Sequence, residues 1–304
     1  HVFDEFLFDP FLEELYSQFQ DKTASENKSL NRDTIIFDGT VIPAVKDMIW
    51  AVYGSKGDNK ALKCHFLYNL NNDVPLFTSV TSANVSEKKK LAQMLEAGKC
   101  YVLDRGYAKL ALMQAIIDIG STFILRIRDN SVFEVIEEKE LSREALDANI
   151  VRDAIVKLGK NDDLKEPVRL IEVECNAYSK TTKTGRGGPE QGDTILIATN
   201  EFEIPATMVS AVYKSRWDIE LFFRYFKHLL GCRHLLCHSE NGVRLEMYTA
   251  IIACLLIMLW TGKVPTKATL EVLQLYMYGL ADEEDLMNHI KRLKEAKEKA
   301  AKKS

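Results

Sequence analysis

No apolar run in this chain is long enough to span a bilayer comfortably. The longest, Met247 to Trp260, reads as a buried helix, so no membrane association is expected. A secretory leader is not expected either. Residues 1–20 alternate acidic and aromatic positions and lack a basic start before an apolar stretch. Because the chain opens on His1, a segment ahead of it is expected. Cysteine is sparse, with 6 in 304 residues, at positions 64, 100, 175, 232, 237 and 254. They stand in apolar contexts without the spacing of a disulfide framework, which points to a reducing, cytoplasmic setting. A positive charge balance is missing as well, the formal net charge being -4. Nucleic-acid binders ordinarily present a basic surface, but the placement of the cations matters more than their average. Here they are uneven: Lys214, Arg216, Arg224, Lys227 and Arg233 fall close together against only Asp218 and Glu220, and the tail from Lys291 is Lys-rich. There is no internal repeat.

What is present is ordinary for a globular chain. The apolar fraction of 46% and charged fraction of 28% exclude disordered and fibrous classes. The length suits one large domain or a domain carrying an insertion. Residues 1–30 read as a short helical lead and a polar linker. Strands follow at 34–44, 61–70 and 74–83, the last two joined by a turn at Asn71-Asn72-Asp73. A helix begins at Ser86 and runs through LAQMLEAG to Gly98. Next come a strand at 100–104, a turn at Arg105-Gly106, a helix ending at Gly120 and a strand at 121–128. This order predicts an α/β fold, a mixed sheet flanked by helices. Residues 129–204 break the rhythm with strand-like VFEVIE, RLIEVECNAY and DTILIATN, and read as a β-rich insertion into residues 31–128 and 205–265. From Pro205 the pattern is helical, with Asn241-Gly242 separating two long helices, and 266–304 form a helical tail whose final segment, 285–304, reads as a solvated helix.

Three carboxylates stand out by placement. Asp38 ends the apolar run IIF ahead of Gly39-Thr40, and Asp104 ends YVL ahead of Arg105-Gly106. Carboxylates at the ends of buried strands can converge at one sheet edge, where ligands bind. Strand-end acids are also common turn formers, so neither alone decides. The third lies in YKSRWDIELFFRYFK. On one continuous helix, Tyr213, Arg216, Glu220, Arg224 and Lys227 would share an arc of about 80°. One carboxylate among basic and hydroxyl groups is a poor core face and a good surface for gripping phosphates beside a metal ligand. Mg2+ takes hard oxygens, usually one or two carboxylates plus water and phosphate. Two such ions about 4 Å apart can activate the attacking oxygen and stabilise the leaving one.

On these residues the chain resembles the DDE transposases of the insertion-sequence-four group. Their Y-x2-R-x3-E-x6-K signature is met by Tyr213, Arg216, Glu220 and Lys227, FDGT supplies the first Asp motif, and VLDRGY supplies the second. The resemblance covers roughly residues 30–262. It implies an RNase H-like fold with a β-rich insertion, in which Asp38, Asp104 and Glu220 are catalytic and bind two Mg2+ ions, with Mn2+ as a substitute. Tyr213, Arg216 and Lys227 would contact double-stranded DNA at transposon ends and target, with Arg224, Trp217 and Arg105 beside them. Gly106 would serve the tight turn. The implied activity is cleavage at transposon ends and strand transfer. The implied assembly is a homodimer on DNA, in a bacterial-type cytoplasm at the nucleoid.

Other signals carry less. Cys232, His234, Cys237 and His238 lack a second pair at zinc-finger spacing. The segment KTGRGG lacks the order of a phosphate loop. IIFDGT is similar to the start of haloacid-dehalogenase-like phosphatases, but their nucleophilic Asp would fall at Ile36. A non-catalytic DNA-binding or interaction protein derived from a transposase is the alternative, and three intact acidic positions argue against it.

Overall fold

In the computed structural model the described residues are 5–22, 30, 32–54, 59–160, 164–175, 193–229, 235–262 and 266–301. Chain order begins α1 (Asp9–Lys22), β1 (Thr34–Pro43), β2 (Val52–Tyr53), β3 (Asn59–Asn69) and β4 (Val74–Ser82). It continues through α2 (Glu87–Ala92), β5 (Cys100–Leu103), α3 (Leu110–Asp118), β6 (Thr122–Arg126), β7 (Phe133–Glu138) and α4 (Arg143–Asp147). Then follow β8 (Ile150–Leu158), β9 (Val168–Glu174), β10 (Thr194–Thr199) and α5 (Ala206–Lys214). The chain closes on α6 (Trp217–Leu229), α7 (Glu240–Thr261), α8 (Lys267–Met277) and α9 (Glu283–Ala301). These elements form two units. The first comprises His1–Glu26, Gly39–Val85 and Asp218–Ser304, and the second Asn27–Asp38 and Ser86–Trp217.

The second unit is built on a mixed sheet in the order β1-β5-β6-β10-β9-β8-β7, to which β1 contributes its first half. Pairing from β1 to β6 is parallel and from β6 onward antiparallel. All four residues of β5 are buried, as are Ile35, Ile36 and Phe37 on β1. Near-continuous apolar runs of this kind belong to parallel strands covered on both faces. Here α3 packs against β6, burying Leu112, Met113 and Ile116, and α5 packs against β5 and β6, burying Val209 and Val212. Ile36 is fully buried, so the position a phosphatase would need for its nucleophile is a core position.

In the first unit β3 pairs antiparallel with β4 through an irregularity at His65/Phe66, and β2 pairs with the start of β3. Phe66 of β3 seats α6: its ring lies 5.2 Å from Phe222, 5.6 Å from Phe223 and 4.9 Å from Phe226. Edge-to-face aromatic pairs add about 0.5–1.5 kcal/mol each beyond their buried area. The core helix is α7, with Val243, Met247, Ile251, Cys254 and Leu255 buried. Mixed sheet, flanking helices and closing helices together make the chain an α/β protein of the RNase H-like kind.

Several expectations are corrected. The helix after Ser86 ends at Ala92 and not at Gly98, whose φ of 75° belongs to the following turn. Residues 150–158 form β8 and 143–147 form α4, neither of which is among the three strand-like segments expected in 129–204. Asn241-Gly242 does not separate helices. It lies in the first turn of α7, where the Ser239 side chain accepts the Gly242 N–H. Gly is needed there because a Cβ would meet Cys237 Cβ at 2.6 Å. At 22 residues α7 outruns its apolar stretch and is long and apolar enough by composition to cross a bilayer, yet its buried face makes it a core helix here. The tail is not solvated all round, since Leu286 and Ile290 of α9 are buried.

Candidate functional site

The register of two strands builds the site. Thr34 pairs with Cys100, Ile35 with Tyr101 and Ile36 with Val102. Two steps further along the same offset, Asp38 comes level with Asp104 just beyond the end of β5. Both carboxylates therefore stand on one side of neighbouring strands that lie about 4.8 Å apart. β6 extends the row. Leu103 pairs with Leu125, so Arg126 is the next residue level with Asp104.

Asp104 is fixed by the turn that follows it. Its Oδ1 accepts the Gly106 N–H at 2.7 Å and caps the turn Arg105–Tyr107. A Cβ at Gly106 would lie 2.8 Å from that same oxygen, so the turn and the carboxylate both depend on glycine. Behind them Tyr107 is buried edge-on against Phe37 at 5.8 Å and donates to Glu87 Oε2 at 3.0 Å. Burial, and then the charges of Asp38, Glu87 and Asp104, raise its phenol far above the ordinary range. Tyr107 is thus a neutral wall against which both aspartates lie.

Cations ring the pair. Arg216 Nη1 lies 3.9 Å from Asp38 Oδ2. Tyr213 receives a hydrogen bond from Arg216. Burial raises its phenol pKa, Arg216 and Arg126 lower it, and Asp104 raises it, so Tyr213 sits amid these charges. Arg126 Nε is buried and has no hydrogen-bond partner among the described residues. Beside Asp104 opens a cleft of about 660 Å³ lined by Arg105, Gly106, Arg128, Asp129 and Asn130. Arg126 was missed in the sequence, where it passes for an interior residue of a strand. Counting from Asp104 with the offset of β5 and β6 would have found it.

The structure thus gathers Asp38, Asp104, Arg105, Tyr213 and Arg216 in the second unit, with Trp217 exposed at its end. Glu220, Arg224 and Lys227 stand on α6 of the first unit. The single helix expected for all five signature positions is corrected: α5 ends at Lys214 and α6 begins at Trp217, leaving Arg216 in a turn. Glu220, Arg224 and Lys227 keep the spacing of one helical face. The other face of α6 is buried through Ile219, Phe222, Phe223 and Phe226. Among the described residues no three His, Cys, Asp or Glu side chains form a ready cluster for a metal ion. Arg233, Cys232, His234 and the KTGRGG segment lie outside the described residues.

Asp38 stands in the middle of β1 and not at the strand end expected for it, level with Asp104 just past the adjacent parallel β5, and this α/β sheet places the chain in the RNase H-like class. The chain belongs to the transposase DDE domain family, whose model it matches over residues 29–256. It is 31% identical over 241 residues to the putative transposase y4zB of Sinorhizobium fredii, covering 79% of this chain and 63% of that protein. It is 25% identical over 224 residues to the probable transposase for insertion sequence element IS5377 of Geobacillus stearothermophilus, covering 73% and 55% respectively. A third relative, the putative transposase for insertion sequence element IS4SA of Synechocystis, is 30% identical over 160 residues, covering 52% and 40%. The chain therefore spans less than two thirds of the length of each of these relatives.

Proposed function

We propose that this chain carries the catalytic part of a DNA transposase that cuts DNA at transposon ends and joins the freed end to target DNA. The carrying observation is the shared offset of β1 and β5, which sets Asp38 and Asp104 side by side. Hard carboxylate oxygens on adjacent strands are the donors Mg2+ selects, so the residues present fit that ion or Mn2+. In this reading Asp38, Asp104 and Glu220 would hold two ions, which supply charge neutralisation at the attacking and leaving oxygens when bound.

The chain's own groups do the rest. The Gly106 N–H fixes the rotamer of Asp104, and Tyr107 closes the rear of the pair against water. Arg105, Arg126, Arg216 and Tyr213 surround the aspartates with donors for backbone phosphate oxygens, and Arg224 and Lys227 would supply further phosphate contacts from α6. Such contacts set the position of the strand without reading its sequence. Water attacks the scissile phosphorus in the first step, and the 3′-oxygen leaves. In the second, the freed 3′-hydroxyl attacks a phosphorus of target DNA and displaces the target strand's own 3′-oxygen, without a covalent enzyme intermediate. Joining two ends calls for a homodimer in the DNA complex.

The test is incubation of the chain with labelled DNA carrying the inverted repeats that flank its gene, with Mg2+ or Mn2+. Nicking at the repeat ends supports the reading, and intact DNA with either ion defeats it. Arg216→Ala or Lys227→Ala should weaken binding to this DNA and lower the slope of log affinity against log salt by about 0.9 each. Titrations at several salt concentrations measure both effects. Gly106→Ala should slow cleavage roughly a hundredfold by displacing Asp104, the penalty expected for a misplacement of about 1 Å. Unchanged circular dichroism would show that the effect is local.

A further inference from the structure

Asp129 follows β6 and stands between two arginines at the edge of the carboxylate pair. Its Oδ2 is 3.4 Å from Arg105 Nη1, and its Oδ1 is 3.8 Å from Arg126 Nη2. Both distances exceed the roughly 2.7–2.9 Å of a tight charge-assisted bond. The carboxylate bridges the two cations loosely, and its side chain is 59% exposed beside the 53% of Arg105. The cleft lined by Asp104, Arg105 and Arg128 gives it room to turn away. Arg126 still lacks an acceptor for its buried Nε, so the ion pair leaves donor capacity unused next to Asp104.

A carboxylate presents two oxygens and one negative charge, and so does the non-bridging edge of a phosphodiester. Asp129 therefore has the chemistry of the group that the neighbouring arginines would grip in a nucleic acid. We propose that Arg105 and Arg126 form a clamp for one DNA phosphate on the Asp104 side of the site, and that Asp129 occupies this clamp until DNA displaces it. Asp129 is then a built-in competitor of the substrate backbone. The proposal rests on the DNA-cleaving reading above and adds a restraint on its binding step. It follows that the arginines are held near their working positions before DNA arrives, at the cost of weaker DNA affinity.

The experiment measures binding of a fluorescein-labelled DNA duplex to the full chain without divalent metal, across a range of salt. D129N keeps the shape and removes the charge. It should bind roughly threefold to tenfold more tightly, the range that two exposed ion pairs of this kind supply. The salt slope should steepen by up to about 0.9. D129E should bind like the native chain, and the gain from D129N should vanish in the R105Q background. If D129N binds no better than native while R105Q still weakens binding, the competitor role is overturned and the DNA-cleaving reading stands. If native chain neither binds the duplex nor cleaves DNA with Mg2+, that reading falls and this proposal with it.

Discussion

Replacing Asp38, Asp104 or Glu220 by alanine, one at a time, is expected to remove both end cleavage and strand transfer while leaving the protein folded. Each carboxylate is assigned a share in neutralising charge that develops at the scissile phosphate. A loss of about 4 kcal/mol of transition-state stabilisation corresponds to about a thousandfold in rate. Folding should survive because none of the three is a core residue: all are only partly buried. Asp38 lies within β1 and Asp104 just past β5, strands whose stability comes from Ile36, Phe37, Val102 and Leu103, and Glu220 lies outside the buried aromatic face of α6. Cleavage and strand transfer are to be assayed separately in each variant, with thermal unfolding as the control. Strand transfer at native rate by any one of them would remove that residue from the catalytic set.

The largest effect on stability is expected far from the carboxylates. Arg169 and Asp153 form a buried pair on β9 and β8, joined at 2.8 and 2.7 Å, with side chains only 4% and 6% exposed. Arg169 also donates to the carbonyls of Glu201, Phe202 and Ile204, at 3.4, 3.3 and 2.6 Å. Those carbonyls lie in the connection that leads into α5, and so toward Tyr213 and Arg216. Asp153→Ala would leave a buried guanidinium without its counter-charge, a loss of about 3–5 kcal/mol. For a unit of this size, that lowers the melting temperature by roughly 10 °C. Asp153→Leu combined with Arg169→Met should recover much of the loss, because buried ion pairs are often no more stabilising than packed apolar side chains of similar volume. A double variant as unstable as Asp153→Ala would show that the carbonyl contacts of Arg169 matter more than its charge partner.

The two aspartates were legible because equal apolar runs, IIF and YVL, precede each of them, although a turn follows only Asp104 and β1 runs on past Asp38 to Pro43. That pattern encodes both burial and position, and parallel pairing turns it into proximity. Arg126 was not legible, because an isolated cation in a strand is ordinarily a solvent-facing residue and only long-range pairing brings it level with Asp104. The break at Ser215-Arg216 carries no Pro or Gly. Local propensity runs straight through it, and tertiary packing decides it. Strand β8 was concealed by Arg152 and Asp153, which look like surface charges until Arg169 is seen to neutralise the latter inside the unit. Asn241-Gly242 misled in the opposite sense, a typical breaker pair used within the opening turn of a helix. The spacing of Glu220, Arg224 and Lys227 was readable because α6 is continuous across all three.

The level pairing of β1 with β5 carries a consequence for how such a chain can change over time. Side chains alternate sides along a strand, so losing or gaining one residue between Thr34 and Asp38 would turn the carboxylate to the opposite surface of the sheet. Substitutions among the apolar residues there can be absorbed by repacking, whereas a change in their number cannot. The count of residues ahead of Asp38 is therefore under tighter constraint than their identity, and a single lost or inserted codon there would take the carboxylate away from Asp104.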